Sequence, residues 1–300
     1  MTSDKGASLL AKLKYKATKS KMNFQQSLLL LFEEEFLRRL SLSEYANHFI
    51  LKGGLLIFLL TDFHSRPTAD MDFLLRNLSG NSNEIKNMIE NILAIPTEQS
   101  DVVKLGFSGL KDIVQDRQYG GVSVHLTGII KNVRVSFNAD IGIGDIVIPS
   151  PQKIVMPTQI QTLSTLEIAA YSIESVIAEK FDAILQRLEL TSRMKDFYDI
   201  VCLAKTFNFY GSTLRQAIAQ TISNRGTQYN EKSFQRIMEL ADNPEMNLRW
   251  LSFMKNFKMK ESNFRQTMHD LQIFIEPVWA TIVDDQPFTL KWAYSNYCWE

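Results

Sequence analysis

Asp70 and Asp72 stand one residue apart at the head of an apolar run, Phe73-Leu74-Leu75. In an extended strand alternate side chains share a face, so both carboxylates point the same way, about 6–7 Å apart. Two like charges at ~4 Å repel by on the order of 4 kcal/mol at an effective dielectric of 20. A pair so placed is held by a hard cation that it straddles, or by open water at an exposed strand end. Asp140 is a third carboxylate of interest. In the stretch 132–143, Val133, Val135, Phe137, Ala139, Ile141 and Ile143 alternate with Arg134, Ser136, Asn138, Asp140 and Gly142. That period of two places Asp140 on the polar face of a strand, near its end. It joins Asp70 and Asp72 if the two strands are neighbours; otherwise it is a loop-entry aspartate.

Two further charged residues sit where apolar ones belong. In the helical segment 172–188, Ile173, Val176, Ile177, Phe181, Ile184, Leu185 and Leu188 form one stripe, and Lys180 falls inside it. In the helical segment 193–207, Phe197, Ile200, Val201, Leu203, Ala204 and Phe207 make the apolar face, and Asp196 points with them; Asp199 lies at its edge. An inward lysine is costly unless it snorkels or meets an anion. Lys180 and Asp196 therefore read as an interhelical salt bridge or as the wall of an active site. In the second case Lys180 meets a phosphate, and Asp196 holds Lys180 or polarises an acceptor hydroxyl.

The elements that must position these residues follow from the pattern. Residues 24–40 are helical, and Ser41 or Ser43 caps a short helix through Tyr45 and Phe49. Lys52-Gly53-Gly54 reads as a sharp turn, and the apolar run Leu55–Leu60 is ambiguous between strand and helix. Pro67 biases Arg66 away from helix ahead of the Asp70 strand. Residues 83–95 are helical, followed by strand-like stretches at 102–107, 121–130 and 132–143. Residues 149–163 are Pro-rich and irregular, and from about Thr165 the pattern is helical almost to the end. The expected organisation is residues 1–155 as N-terminal helices and an α/β core, and residues 156–300 as a helical domain closing the active site.

Bulk properties exclude several classes. The 300 residues carry 33 basic and 33 acidic side chains, so overall charge does not drive binding to nucleic acid. Any such partner needs a local patch. Lys5, Lys12, Lys14, Lys16, Lys19 and Lys21, opposed only by Asp4, offer one; the alternative is a solvated, frayed terminus. Cys202 and Cys298 make neither a disulfide framework nor a zinc site, and a reducing cytoplasm is the expected compartment. His48, His64, His125 and His269 are not spaced as metal ligands, and no G-x-S-x-G nucleophile elbow is present. No apolar stretch reaches the ~20 residues of a membrane helix.

A GG turn, a spacer, a D-apolar-D strand and a third Asp on a later strand resemble the DNA polymerase β-like nucleotidyltransferase superfamily. The stretch 171–204, together with LKGGLLIFLL, RPTADMDFL and DIGIGDIVIP, is similar to the AbiEii/AbiGii nucleotidyltransferase toxins. The likeness runs from about residue 24 to 225. Ile143 where Phe is common, and Ala139 where a larger apolar residue is usual, are its departures; neither touches a chemical group.

The resemblance implies an α+β fold, with a polymerase β-like core on a mixed sheet and a C-terminal helical bundle. It implies the toxin of a bacterial toxin–antitoxin or phage-abortive-infection system, transferring a nucleotide from an NTP to an RNA, with the 3′ end of tRNA the expected acceptor. By residue it implies Asp70, Asp72, Lys180 and Asp196 as catalytic, and Gly53, Gly54, Thr68 and Lys180 as nucleotide-binding. Asp70, Asp72 and Asp140 would hold Mg²⁺ in a two-metal site. Gly53 and Gly54 would let backbone N–H groups approach the phosphates. The Thr68 hydroxyl is a candidate for regulatory phosphorylation. The expected partner is an antitoxin encoded nearby, winged-helix (AbiEi-like) or kinase-like, with no membrane. Transfer to a protein or small molecule, and non-catalytic nucleotide binding, are the competing functions.

Overall fold

Asn23 opens the first long element with a reciprocal cap: its side chain accepts from the Gln26 N–H, and the Gln26 side chain accepts from the Asn23 N–H. The computed structural model describes residues 4–20, 22–113, 120–160, 163–188, 193–257 and 263–300; Lys21 of the basic N-terminus lies outside them. They cluster into two compact units, one of residues up to 145 with 152–170, the other of 146–151 with 171–300.

The core unit begins with α1 (Lys5–Lys19), which buries Leu9 and Leu13 and is therefore a packed helix rather than a frayed terminus. Helix α2 (Phe24–Leu42) is buried almost all round. It ends where the Ser43 hydroxyl donates to the Leu40 carbonyl. The short helix expected through Tyr45 to Phe49 is instead a run of turns, because the chain goes directly into β1 (Phe49–Lys52). Helix α3 (Gly53–Leu60) follows with no intervening turn. Its ambiguity in sequence has a physical cause: Leu55 to Leu59 are all buried, so no polar face marks the period.

Next come β2 (Asp70–Leu75), α4 (Ser82–Ala94), β3 (Lys104–Ile113), β4 (Gly121–Ile130) and β5 (Val133–Ile143). β6 (Gln152–Met156) and β7 (Leu166–Ala170) replace the irregular and helical readings of those residues. β6 has mostly exposed or half-exposed side chains and lies at the sheet edge, so it lacks the apolar alternation that marks a strand. The sheet is seven-stranded and mixed, in the order β3-β4-β5-β2-β1-β7-β6. β2 pairs in parallel with β5 and antiparallel with β1. One face packs on α2 through Phe36 against Phe73 and Phe32 stacked on Phe137.

Glu33, Glu34 and Glu35 of α2 are all buried. Burial pushes the Glu34 carboxyl from 4.5 up to about 7, against the opposing effects of the Gln159 N–H, Lys16 and Arg38. Burial, then the charges of Asp70 and Glu34, push Glu33 up to about 8. Between the unfolded value of 4.5 and about 7, folded Glu34 keeps a proton that the unfolded chain has lost. Stability contributed by this group therefore falls as pH rises through that window. Urea midpoints at pH 5 and pH 7.5 should differ less in Glu34→Gln than in the wild type; an unchanged difference would refute the assignment.

The second unit holds α5 (Ile173–Arg187), α6 (Met194–Ala204), β8 (Phe209–Tyr210), α7 (Gly211–Arg225), α8 (Ser233–Glu239), α9 (Pro244–Asn256), α10 (Phe264–Val283), β9 (Lys291–Ala293) and β10 (Cys298–Trp299). It is helical as expected, except for a small sheet ordered β10-β9-β8. Trp292 of that sheet donates its indole N–H to the Ala204 carbonyl at 2.7 Å and packs edge-on to Phe274. Among the described residues no helix is long and apolar enough to cross a membrane.

Candidate active site

The sheet register sets the carboxylates on one face of adjacent strands. Asp72 of β2 lies opposite Asp140 of β5, which lies opposite Ser123 of β4. On the other side Asp72 lies opposite Lys52 of β1. Residues opposite one another on adjacent strands share a face. Ser123, Asp140, Asp72 and Lys52 thus form one row across four strands, with Asp70 on the same face one pleat away. Asp70 is opposite Asn138, which is opposite His125, and the His125 Nδ1 to Asn138 Oδ1 distance is 2.8 Å. The other face of β2 is buried through Met71, Phe73 and Leu75.

Local contacts fix the row. Ser123 donates its hydroxyl to Asp140 Oδ1 at 2.6 Å. Lys52 pairs with Asp145 at 2.7 Å, both side chains being largely buried. Its Nζ stands 3.9 Å from where a Cβ on Gly142 would lie. Gly53 has φ +70, and a Cβ there would lie 2.0 Å from Asp72 Oδ2, so only glycine leaves that carboxylate in place. A Cβ on Gly54 would sit 3.0 Å from Thr68 Oγ1 and 3.2 Å from Arg66 Nη2. Thr68 Oγ1 is 3.5 Å from the Asp70 N–H. Gly53, Gly54, Thr68, Asp70, Asp72 and Asp140 all belong to the core unit.

Among the described residues no three His, Cys, Asp or Glu side chains are gathered into a ready metal cage. The donor set is all carboxylate oxygen, with Asp70 exposed and Asp72 and Asp140 half-buried. Magnesium demands little more from protein, since it keeps several waters and takes further oxygens from substrate phosphates. The residues present fit such an ion.

Lys180 and Asp196 meet within the helical unit. Ser172 caps α5, its side chain accepting from the Ser175 N–H at 3.2 Å. Two turns on, Lys180 Nζ lies 3.1 Å from Asp196 Oδ1 and 2.6 Å from Asp199 Oδ2 of α6. Asp199 is fully buried rather than at the edge of the helix face; being three residues from Asp196, it lies on the same side. Arg193 Nε holds the other Asp196 oxygen at 2.6 Å. Burial alone would raise the Asp196 pKa, but Lys180 and Arg193 outweigh it and hold the carboxyl below its ordinary value. The sequence does not single out Lys52 and Asp145, and it places Asp199 at the edge of its helix face. Asp199 carried a signal in its i,i+3 spacing, and Asp145 in the DIGIGD stretch; the place of Lys52 depends on strand register.

The model of the family described as "Nucleotidyl transferase AbiEii toxin, Type IV TA system" matches residues 35–280. Among solved structures the chain is similar to MenT4, a nucleotidyltransferase toxin from Mycobacterium tuberculosis, with TM-score 0.55 and 11% identity over 92% of this chain and 99% of that one. It also matches JHP933 from Helicobacter pylori, with TM-score 0.49 and 13% identity over 87% of this chain and 94% of that one. No curated protein gives a significant match.

Proposed function

The chain belongs to the AbiEii family of nucleotidyl transferase toxins of type IV toxin–antitoxin systems, and from that premise we propose that it transfers a nucleoside monophosphate from an NTP to RNA, with the 3′ end of tRNA as acceptor. The family makes it a nucleotidyltransferase with a nucleotide substrate and an antitoxin partner. The observation that carries the reading of its site is the in-register pair Asp72 and Asp140, with Asp70 on the same face.

Asp70, Asp72 and Asp140 would hold Mg²⁺. When bound, the ion supplies charge neutralisation on the triphosphate and acidifies the attacking hydroxyl. The RNA 3′-oxygen bonds to the α-phosphorus, the bond to the bridging oxygen breaks, and pyrophosphate leaves. Asp140, whose Oδ1 accepts from the Ser123 hydroxyl, would keep Oδ2 for the cation, and the hydroxyl proton passes to solvent. Gly53 and Gly54 open the backbone at the start of α3 to phosphate oxygens. Within the helical unit Lys180, steadied by Asp196 and Asp199, is the cation that the family resemblance assigns to charge neutralisation in transfer. The Thr68 hydroxyl, beside Gly54, is the position at which phosphorylation would crowd the nucleotide. A winged-helix antitoxin encoded nearby and a cytoplasmic setting complete the proposal.

The test is incubation of the full chain with total bacterial tRNA and each α-labelled NTP, with Mg²⁺ or with EDTA. The expected result is cation-dependent label in tRNA with one preferred nucleotide. Label on protein instead of RNA would overturn the acceptor, and label that persists in EDTA would overturn the metal.

A further inference from the structure

We propose that the outer face of α1 is a docking surface for the phosphate backbone of the RNA acceptor. This rests on the RNA reading above and adds a surface that the reading does not contain. Lys5, Ser8, Lys12, Tyr15 and Lys19 follow one another at spacings of three and four, so they form a single stripe. All five are exposed, and Tyr15 keeps 66% of its surface in solvent. The stripe is opposite in character to the buried side, where Gly6, Leu9 and Leu13 pack. From Lys5 to Lys19 it runs about 21 Å at a rise of ~1.5 Å per residue.

The charge of this helix is of one sign, and three of its five lysines lie in the stripe, Lys14 and Lys16 outside it. Its sequence KGASLLAKLKYKATK contains lysines and no acid. Asp4 is engaged as the helix cap for Ala7 and in a pair with Lys131, while Glu34 and Asp62 act on Lys16, which lies outside the stripe. The chain as a whole is neutral, so the cationic stripe is a local segregation of charge rather than a share of a basic surface. Lys19 Nζ lies 5.7 Å from the Tyr15 ring, which sets an aromatic face among the ammonium groups. Lysines complement phosphates and an exposed tyrosine offers a plane to a base, the pairing found on surfaces that hold single strands.

The position of α1 suits that use. Asp4 and Lys131 tie its start to the turn between β4 and β5. Lys16 ties its end, donating to the Gln159 carbonyl at 2.5 Å and lying 5.3 Å from the Phe63 ring. Phe63 belongs to the segment that leads into Asp70. The stripe thus ends beside the chain that delivers the first carboxylate. Helix α1 precedes residues 35–280, which the family model matches.

The experiment compares the full-length wild type with Lys5→Gln/Lys12→Gln/Lys19→Gln and with Tyr15→Ala. Lys16 is left intact because it anchors the helix. Binding of fluorescein-labelled tRNA is followed by anisotropy over a series of KCl concentrations, with NTP binding by calorimetry and the melting temperature as controls. The triple variant should lose about tenfold or more in tRNA affinity, and its log Kd against log salt slope should flatten by about 2, or ~0.7 per lost phosphate contact. Tyr15→Ala should weaken binding with the slope unchanged. NTP binding and melting should match the wild type in both. A triple variant with wild-type affinity and slope, while the wild type still labels tRNA, overturns the surface and leaves the RNA reading standing. A wild type that neither binds nor labels RNA overturns both. Loss of an acidic protein partner with tRNA binding unchanged overturns the proposal in favour of a protein-binding face.

Discussion

Replacing Lys180 with methionine is expected to stop nucleotidyl transfer and to destabilise the helical unit at the same time. Lys180 is 8% exposed, and its ammonium group lies against two fully buried residues, Asp196 and Asp199. Removing it takes a cation away from two buried carboxylates, with Arg193 still on Asp196, a change that costs on the order of 3–5 kcal/mol. The two effects separate in the double variant Lys180→Met/Asp199→Asn, in which one acid leaves with the base. Stability should return for the most part, since a buried pair is more readily removed whole than halved. Transfer should remain down by about 10²–10³-fold, the scale on which a preorganised charge at a reacting phosphate acts. Recovery of both stability and transfer would make Lys180 an interhelical tie and nothing more.

Acid sensitivity gives an independent readout of the same cluster. The Asp196 carboxyl is held below its ordinary value of 3.8 by Lys180 and Arg193, against burial, which acts the other way. Its stabilising contribution is thus present above that value and lost as pH falls through the lower folded one. Without Lys180 burial gains weight and the folded value rises, so Asp196 loses less stability on acidification, and the stability gap between Lys180→Met and the wild type should narrow as pH falls through the acid range.

These charged residues were legible in the sequence for two different reasons. Asp70, Asp72 and Asp140 stood out because a strand assigns faces by parity, and parity survives without knowledge of the partners. Lys180 and Asp196 stood out because each broke an apolar stripe. Asp199 was misplaced because a single helix, taken alone, defines its buried arc from its own apolar residues; the neighbouring Lys180 widens that arc toward Asp199. Lys52 was not legible at all, since its place in the row depends on the register of β1 against β2. The edge strand β6 carries mostly polar side chains, and β8, β9 and β10 span two or three residues, too few to display a period. β5 and the start of β2 alternate buried with more exposed side chains, and that alternation is what makes their faces readable in the sequence.

The carboxylate face yields the other large effect. Asp70→Ala and Asp72→Asn should each lower transfer by about 10³-fold while the chain stays folded, because Asp70 is exposed and Asp72 half-buried, and neither belongs to the apolar core through Met71, Phe73 and Leu75. Gly53→Ala should reproduce the Asp72 defect without touching a carboxylate. Its φ of +70 makes any Cβ strained, a cost of about 1–2 kcal/mol. The added atom would also lie 2.0 Å from Asp72 Oδ2, so the carboxylate must swing away or the backbone must shift. Gly226→Ala isolates the first effect, for Gly226 has φ +61 at the end of α7 and nothing within 4 Å of its Cβ position. That control should lose stability and keep transfer. Calorimetric binding of Mg²⁺ with a non-hydrolysable NTP should weaken in Gly53→Ala and Asp72→Asn alike, and not in Gly226→Ala. A folded Gly53→Ala protein with wild-type transfer and cation binding would show that the Asp72 carboxylate is not used where the structure holds it, and the metal assignment would fall with it.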